Sequence, residues 1–389
     1  MISEGISAYD GKKRSSISIA FDAKRAFFNK SGLGNYSRSL LVSLSKRHPE
    51  NTYYLFTPKI KNRINIENEE QFKIVVPGLK IFRLMGSLWR LKFINREIKQ
   101  IKPDIFHGLS QEIPIGIEET GVKVVVTVHD LIFIRFPEFY HRIDASIYYR
   151  KLVHACRVSD IIIAISQQTK NDIVEFLNIS PEKISVIYQG CSPNFWKKYT
   201  NEQHNEIKAK YDLPARYLLY VGTIEKRKNL LALIKAINIK NISIPLVVIG
   251  RKTDSYFPQI ESYISSHKLT NIIFPEHILN NELPVIYQNA ECFIYPSLFE
   301  GFGIPLLEAL VSGTPAITSN RDCFTEAGGP GSIYVDPYNP EEIGEAILRV
   351  LNDKNLRNKM ISTGKEYANN FKDDFISNAY MNLYYSLLK

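Results

Sequence analysis

The sequence is short of whatever would staple a fold from outside or carry it through a bilayer. Four cysteines, Cys156, Cys191, Cys292 and Cys323, lie far apart in 389 residues, with no C-x-x-C pair among them. That spacing argues against a disulfide framework or a structural zinc, and it fits a reducing, cytoplasmic setting. No apolar run approaches the ~18 residues of a spanning helix. The longest, such as residues 161–165 and 124–126, have strand length. Residues 1–15 carry Asp10, Lys12, Lys13 and Arg14 and no apolar stretch, unlike a secretory leader. Low-complexity segments and short tandem repeats are missing too. So are Asp-x-Asp, H-E-x-x-H, G-x-S-x-G and the Walker loop, which removes the usual metal-diphosphate clamp, zincin, serine-hydrolase and P-loop readings.

What is present is a soluble, globular composition, 44% hydrophobic and 23% charged, long enough for two domains. Short apolar strands alternate with helix-length segments, the pattern of a parallel sheet with crossover helices. It occurs twice. The first set of strands is expected at 17–22, 53–56, 73–76, 104–107, 123–128, 161–165 and 185–188. The second is expected at 217–221, 245–249, 271–274, 292–295, 315–318 and 332–335. Helices are expected over 35–47, 167–177, 229–237, 256–266, 282–289, 305–311 and 374–388, with Ser166 as an N-cap. The lysine-rich stretch 197–210 reads as the linker. The fold expected is α/β: two doubly wound, Rossmann-like domains, 1–198 and 199–372, facing across a cleft, followed by a C-terminal helix, 373–389. Ligands of such sheets bind beyond the carboxyl ends of the strands, so the chemistry belongs on loops that follow strands.

Charge is unevenly placed. The chain carries +9 in all. Residues 1–200 hold 30 Lys+Arg against 19 Asp+Glu, and the rest 19 against 21. The basic half fits an anionic partner: a membrane surface, a nucleic acid or a phosphorylated acceptor. Ordinary surface charge is the plain alternative. Within that half, residues 79–99 set Leu84, Leu88, Leu91 and Ile98 at helical spacing, with Lys92, Arg96 and Lys99 on another face and Trp89 between. This reads as a peripheral contact with anionic lipid, or as a helix packed on the first sheet with a solvated basic face.

Four segments carry candidate chemistry. Pro296-Ser297-Leu298-Phe299-Glu300-Gly301-Phe302-Gly303-Ile304-Pro305 leads from a strand into a helix that contains Glu308. The glycines allow close backbone approach to a ligand, and Pro305 suits a helix start. Glu308 is expected in the first turn, kept ionised by the helix dipole and able to accept two hydroxyls of a ribose; Glu300 could serve a second ring. The plain alternative is a dipole-complementing carboxylate and a turn. The second segment, Gly222-Thr223-Ile224-Glu225-Lys226-Arg227-Lys228-Asn229, puts two cations at a helix start, an anion site or simply an exposed basic turn. The third, Ser31-Gly32-Leu33-Gly34-Asn35-Tyr36-Ser37, fails as G-x-G-x-x-G because Ser37 replaces the last glycine. No acidic residue ends the second strand, as a dehydrogenase would require. The fourth, Val128-His129-Asp130, ends a strand; a lone histidine there is more often structural.

Taken together these segments resemble the retaining GT-B glycosyltransferases of family 4. Glu300 and Glu308 match its E-x7-E signature within Glu-Gly-Phe-Gly-Ile-Pro-Leu-Leu-Glu-Ala, and Gly222 to Asn229 match its G-x-x-x-x-R-K-N loop. The resemblance covers about residues 16–370. It departs at Thr223 and Asn35, where many members carry arginine. What it implies is a catalytic set of His129, Arg227, Lys228 and Glu300, with Arg227 and Lys228 on the leaving diphosphate and His129 positioning the sugar. Donor binding falls to Gly32, Gly34, Gly222, Phe302, Gly303, Ile304 and Glu308, and the C-terminal helix returns to the first domain. The donor implied is a nucleotide-diphosphate sugar, GDP-mannose before a UDP-sugar, with no metal or other cofactor. The acceptor implied is a glycan or lipid-linked one, in cell-surface polysaccharide or lipopolysaccharide synthesis, and nucleic acid is not an expected partner. The competing readings are a nucleotide-sugar epimerase of the same architecture, a basic nucleic-acid-binding protein and a non-catalytic scaffold.

Overall fold

The computed structural model describes residues 16–29, 32–60, 71–321 and 323–389. Ser31, the charged N-terminal stretch 1–15 and the side chain of Leu84 lie outside the described residues. The chain divides into two compact units, residues 1–189 with 373–389, and residues 190–372.

The first unit holds seven parallel strands: β1 (Ser18–Asp22), β2 (Thr52–Phe56), β3 (Phe72–Val75), β4 (Ile105–Gly108), β5 (Lys123–Val128), β6 (Ile161–Ala164) and β7 (Ile184–Val186). Their order is β3-β2-β1-β4-β5-β6-β7. Alternation decides which face each residue serves. Ile19 and Phe21 of β1 join one buried cluster, with Leu40, Leu44, Tyr380 and Tyr384. Ala20, between them, joins the opposite one, with Trp89, Phe106, Val126 and Leu152. Both faces of β1 are covered, and such central strands read as nearly continuous apolar runs. The C-terminal helix Asp373–Leu387 belongs to this unit and buries Tyr380, Met381 and Tyr384 on the first of those clusters.

The second unit holds β8 (Leu218–Val221), β9 (Leu246–Ile249), β10 (Ile272–Ile273), β11 (Cys292–Tyr295), β12 (Ala316–Ser319) and β13 (Ser332–Val335), all parallel, in the order β10-β9-β8-β11-β12-β13. In each sheet the winding reverses beside its first strand, between β1 and β4 and between β8 and β11. Those reversals are where an open α/β sheet leaves a crevice.

Three local expectations are corrected. Residues 197–210 are not a linker. They form the helix Asn201–Lys210, closed by a capping box between Thr200 and Gln203, and it packs within the second unit, where Asn289 bonds His204 at 2.7 Å. Residues 190–198 also group with that unit, anchored by Phe195 edge-on to Tyr287 at 5.5 Å. Gly32 and Gly34 lie in the helix Gly32–Arg47 and not on a loop before it. Gly34 is required there for packing, since a Cβ would fall 1.8 Å from the Asn29 carbonyl oxygen. The segment 79–99 is not one helix. It runs as Lys80–Leu84, a short turn Gly86–Leu88, a wide π turn Trp89–Phe93, and the helix Ile94–Ile101. The π turn adds a residue to the helical round, and it lets consecutive Trp89 and Arg90 both turn inward. Trp89 is fully buried, stacked on Phe56 and donating to Glu97 at 3.3 Å. Lys92, Arg96 and Lys99 do lie on the surface.

Candidate active site

The loops after β8 and β11 flank the reversal of the second sheet, and they bring three of the four expected catalytic residues together. Glu300 Oε1 accepts from Tyr295 OH at 2.7 Å and Ser297 Oγ at 3.0 Å, and it pairs with Arg227 Nη1 at 2.8 Å and Lys228 Nζ at 3.1 Å. Burial alone would raise this carboxyl, but the two cations and the hydroxyl hold it down at about 2. All four contacts reach one oxygen. Among the described residues nothing bonds Oε2, so Glu300 is an ionised carboxylate with one face unspent.

Arg227 is more committed than its motif suggests. Nη1 also donates to the Phe299 carbonyl at 2.5 Å, and Nη2 pairs with Glu225 at 2.5 Å. Lys228 bonds the Tyr295 hydroxyl at 2.7 Å and lies across that ring. Gly222 makes room for it, because a Cβ there would sit 3.1 Å from Lys228 Cδ. The two loops are tied to each other. Leu298 N donates to the Arg227 carbonyl at 2.8 Å. Asn229, in the left-handed conformation at φ 58°, donates to the carbonyls of Pro296 (3.1 Å) and Pro337 (2.7 Å).

Gly303 is the N-cap of the helix Ile304–Ser312 at φ 109°, a conformation that favours glycine. Pro305 is the second helical residue. Glu308 is the fifth, beyond the first turn, and the expectation of a dipole-ionised carboxylate is corrected. Burial pushes its carboxyl up to about 8, with only Tyr287 OH at 3.3 Å and the Lys228 charge opposing. At neutral pH this group is mainly protonated. Phe302 is buried against Phe371, with ring centroids 5.6 Å apart, so that residue offers a ligand its backbone and not its ring. Ile304 opens the helix and is half-buried.

His129 belongs to the first unit and follows β5. It is buried. Nε2 faces the Leu109 carbonyl at 2.8 Å, so it carries the proton, and Nδ1 then accepts from Gln189 Nε2 at 3.1 Å. Burial lowers its pKa to about 4. A neutral ring with both nitrogens engaged, edge-on to Tyr36 at 4.7 Å, is built to hold position. Gly32 has open space where a Cβ would stand.

Several residues escaped the sequence reading. Tyr295 and Tyr287 were counted only as strand and helix members, yet burial pushes both phenols well above the usual range and keeps them as donors to Glu300 and Glu308. Ser297 and Glu225 stood inside quoted motifs without a role. For Tyr295 and Ser297 the signal was available in principle, since polar side chains within one or two residues of a strand's carboxyl end face the crevice; Tyr287, on a helix, and Glu225, four residues past β8, carry no such mark.

Comparison with known proteins places this geometry. The profile for glycosyl transferases group 1 matches residues 202–367, and that for glycosyltransferase family 4 matches residues 30–195. The Escherichia coli O-antigen chain mannosyltransferase B is 26% identical over 386 residues, 94% of this chain and 99% of that one. Among solved structures, a glycosyltransferase from Rickettsia africae superposes with a TM-score of 0.73 at 16% identity, over 97% of this chain and 100% of its own. Anabaena HepE in complex with UDP gives 0.72 at 15% identity, over 95% and 100%. The two profiles span both units, the site residues fall inside them, and the solved neighbours share the two-sheet fold: the chain belongs to the family 4 glycosyltransferases, of the GT-B fold.

Proposed function

We propose that this enzyme transfers mannose, with retention of configuration, from a nucleotide-diphosphate donor to a glycan or lipid-linked acceptor in cell-surface polysaccharide synthesis. The observation that carries the reading is Glu300: an ionised carboxylate held on one oxygen by Arg227, Lys228, Tyr295 and Ser297, its other oxygen unspent. The similarity to an O-antigen mannosyltransferase favours mannose, and with it GDP-mannose; HepE, crystallised with UDP, keeps a UDP-sugar as the second choice.

In this reading Glu300 Oε2 accepts a hydroxyl of the transferred sugar. Arg227 stays in place as the strut of Glu300. Lys228 swings from Tyr295 to the donor phosphates, where a cation already desolvated by its surroundings stabilises the charge that develops as the glycosidic bond breaks. The backbone N–H groups beyond Gly303 add dipoles. Glu308, neutral, can both donate to and accept from the ribose diol. The acceptor hydroxyl attacks from the face the diphosphate leaves and gives its proton to the leaving phosphate oxygen, and no protein nucleophile takes part. No metal is assigned to the reaction.

A thermal-shift series with GDP-mannose, UDP-glucose, GDP and UDP, with and without chelator, tests the donor, because a ligand of the folded state raises the melting temperature. One nucleotide series should shift the melt, unaffected by chelator. Nucleotide released only when acceptor is present separates transfer from epimerisation. No shift with any nucleotide would overturn the reading in favour of a scaffold.

A further inference from the structure

His129 is tied down within the plane of its ring and not out of it. Its two ring bonds run from Nε2 to the Leu109 carbonyl at 2.8 Å and from Gln189 to Nδ1 at 3.1 Å. The N–H and the lone pair of an imidazole both lie in the ring plane, so such a pair sets where the ring points and lets it rock about the line joining the two bonds. Tyr36 closes that freedom. Its ring stands across the imidazole, with centroids 4.7 Å apart and planes at 82°, a favoured aromatic geometry.

Tyr36 is fixed in turn by its hydroxyl. The residue belongs to the helix Gly32–Arg47, two positions past Gly34, and is only partly buried. Its hydroxyl meets Tyr380 OH at 2.8 Å and Thr127 Oγ1 at 3.0 Å. Thr127 Oγ1 meets His107 Nε2 at 2.8 Å, and His107 Nδ1 meets Tyr384 OH at 2.7 Å. Five side chains thus form one polar chain. It leaves the C-terminal helix Asp373–Leu387 at Tyr380, passes through Tyr36, β5 and β4, and returns to the same helix one turn on, at Tyr384. Burial keeps its titratable members neutral. It pushes the Tyr36 phenol up to about 12, lifts Tyr380 and Tyr384 well above the usual range, and lowers His107 to about 3. Each hydroxyl, like the neutral imidazole, has a single proton to give, so turning one member disturbs the next.

We propose that Tyr36 is a positioning residue for His129, and that the C-terminal helix sets it through the Tyr380 hydroxyl. This rests on the transferase reading above, in which His129 positions the transferred sugar. The helix then serves the sugar side of the reaction as well as covering the first sheet. Tyr380 bonds Tyr36 and makes no hydrogen bond to His129 among the described residues. A single hydroxyl on this helix therefore governs a ring it does not bond.

The first arm of the test needs no substrate. An aromatic ring set across a histidine displaces the histidine's ring-proton resonances, so the His129 signal of the full chain, labelled at histidine and assigned with His129→Asn, reports the contact with Tyr36. Tyr36→Leu should abolish the displacement. Tyr36→Phe, which keeps the ring and loses both hydroxyl bonds, and Tyr380→Phe should each move the signal part of the way, with circular dichroism confirming that every variant folds. The second arm is turnover. Tyr36→Leu should lower it about 10²-fold and Tyr36→Phe about tenfold, as expected when a reacting group is misplaced. The melting shift given by nucleotide, which reads the second unit, should stay as in wild type. Tyr380→Phe should lower turnover about threefold alone and add nothing on a Tyr36→Phe background, because coupled residues are not additive. A purely structural role would lower the melting temperature and leave the His129 signal and the turnover of folded enzyme unmoved. That result would overturn the proposal, and so would a Tyr380→Phe effect that adds in full to Tyr36→Phe. Failure of every nucleotide to shift the wild-type melt removes the transferase reading and leaves the His129 signal to decide the contact. An unmoved signal in an enzyme that binds nucleotide removes this inference and leaves the transferase.

Discussion

The two sheets reverse their winding in the same way, and at each reversal a buried arginine is held between two carboxylates. In the first unit Arg90 lies between Asp22 and Glu112; in the second Arg227 lies between Glu225 and Glu300. The difference is in what remains unspent. Arg90 comes from the π turn, 68 residues along the chain, and saturates Asp22, while Glu112 is completed by Lys151. That brace is electrically finished. In the second unit the arginine sits in the loop itself, its neighbour Lys228 shares Glu300, and Glu300 keeps a free oxygen. In the proposed function the same charge motif is a strut in one place and a reactive centre in the other, and the leftover valence decides which.

The largest effect that would break this comparison is on stability. Arg90→Ala strands the buried Asp22 carboxylate and leaves Glu112 to Lys151 alone, and should cost about 3–5 kcal/mol, read as an early unfolding transition in urea. A loss below about 1 kcal/mol, the value of an exposed pair, would mean that Arg90 braces nothing. Next comes catalysis. Lys228→Ala leaves Glu300 paired with Arg227, so the fold should survive with a change within about 1 kcal/mol. Turnover should fall about 10²–10³-fold, as when one preorganised charge-stabilising donor is removed. Nucleotide release measured beside a urea midpoint separates the two, and the reverse pattern would make Lys228 a second strut.

How much of this could be read beforehand follows the physics of each feature. All thirteen strands of the described residues were legible to within two residues at each end, because most are well buried and read as short apolar runs. Ser166 was legible as an N-cap; its hydroxyl accepts from Thr169 N at 3.0 Å. Glu300, Arg227 and Lys228 were legible as candidate site residues, but not as partners of one another, since about 70 residues of chain separate Arg227 from its carboxylate and only the sheet order joins them. The long helix Arg142–Val158 was missed because its first two turns leave Ile143, Ile147, Tyr148 and Tyr149 exposed, which blurs the apolar stripe that marks a surface helix. The ionisation of Glu308 was misjudged because a dipole is a local property of sequence, whereas desolvation depends on what packs around the group.

That ionisation gives the next prediction in size. Glu308 ionises near 4.5 when exposed and at about 8 in the fold. A carboxyl raised on folding binds its proton more tightly in the native state, so stability falls as pH rises from about 4.5 towards 8 and levels off above. Glu308→Gln removes that slope. Wild type and variant should be close in stability at pH 4.5, with the variant ahead by roughly 2 kcal/mol at pH 9; the full linkage is discounted because the side chain keeps some solvent contact. Parallel pH profiles would show that Glu308 is ionised at neutral pH after all and would restore its likeness to Glu300.

The smallest effect concerns the first unit's hold on its C-terminal helix. His107, buried on β4, bridges Thr127 Oγ1 at 2.8 Å and Tyr384 OH at 2.7 Å, and Tyr380 OH meets Tyr36 OH at 2.8 Å. Burial drives the His107 pKa to about 3, so the ring is neutral and each nitrogen needs its own partner. Tyr384→Phe keeps the ring packing and leaves one histidine nitrogen unpaired, which should cost about 1–2 kcal/mol. The loss should appear as faster amide exchange along residues 373–387, because the bond removed is one that ties this helix to the sheet. Tyr380→Phe makes the control, since its hydroxyl meets Tyr36 and leaves both His107 bonds intact. If exchange is unmoved in both, the helix is held by apolar contact alone. If only Tyr384→Phe speeds it, a neutral polar bridge does for this helix what the charged brace of Arg90 does for the crevice.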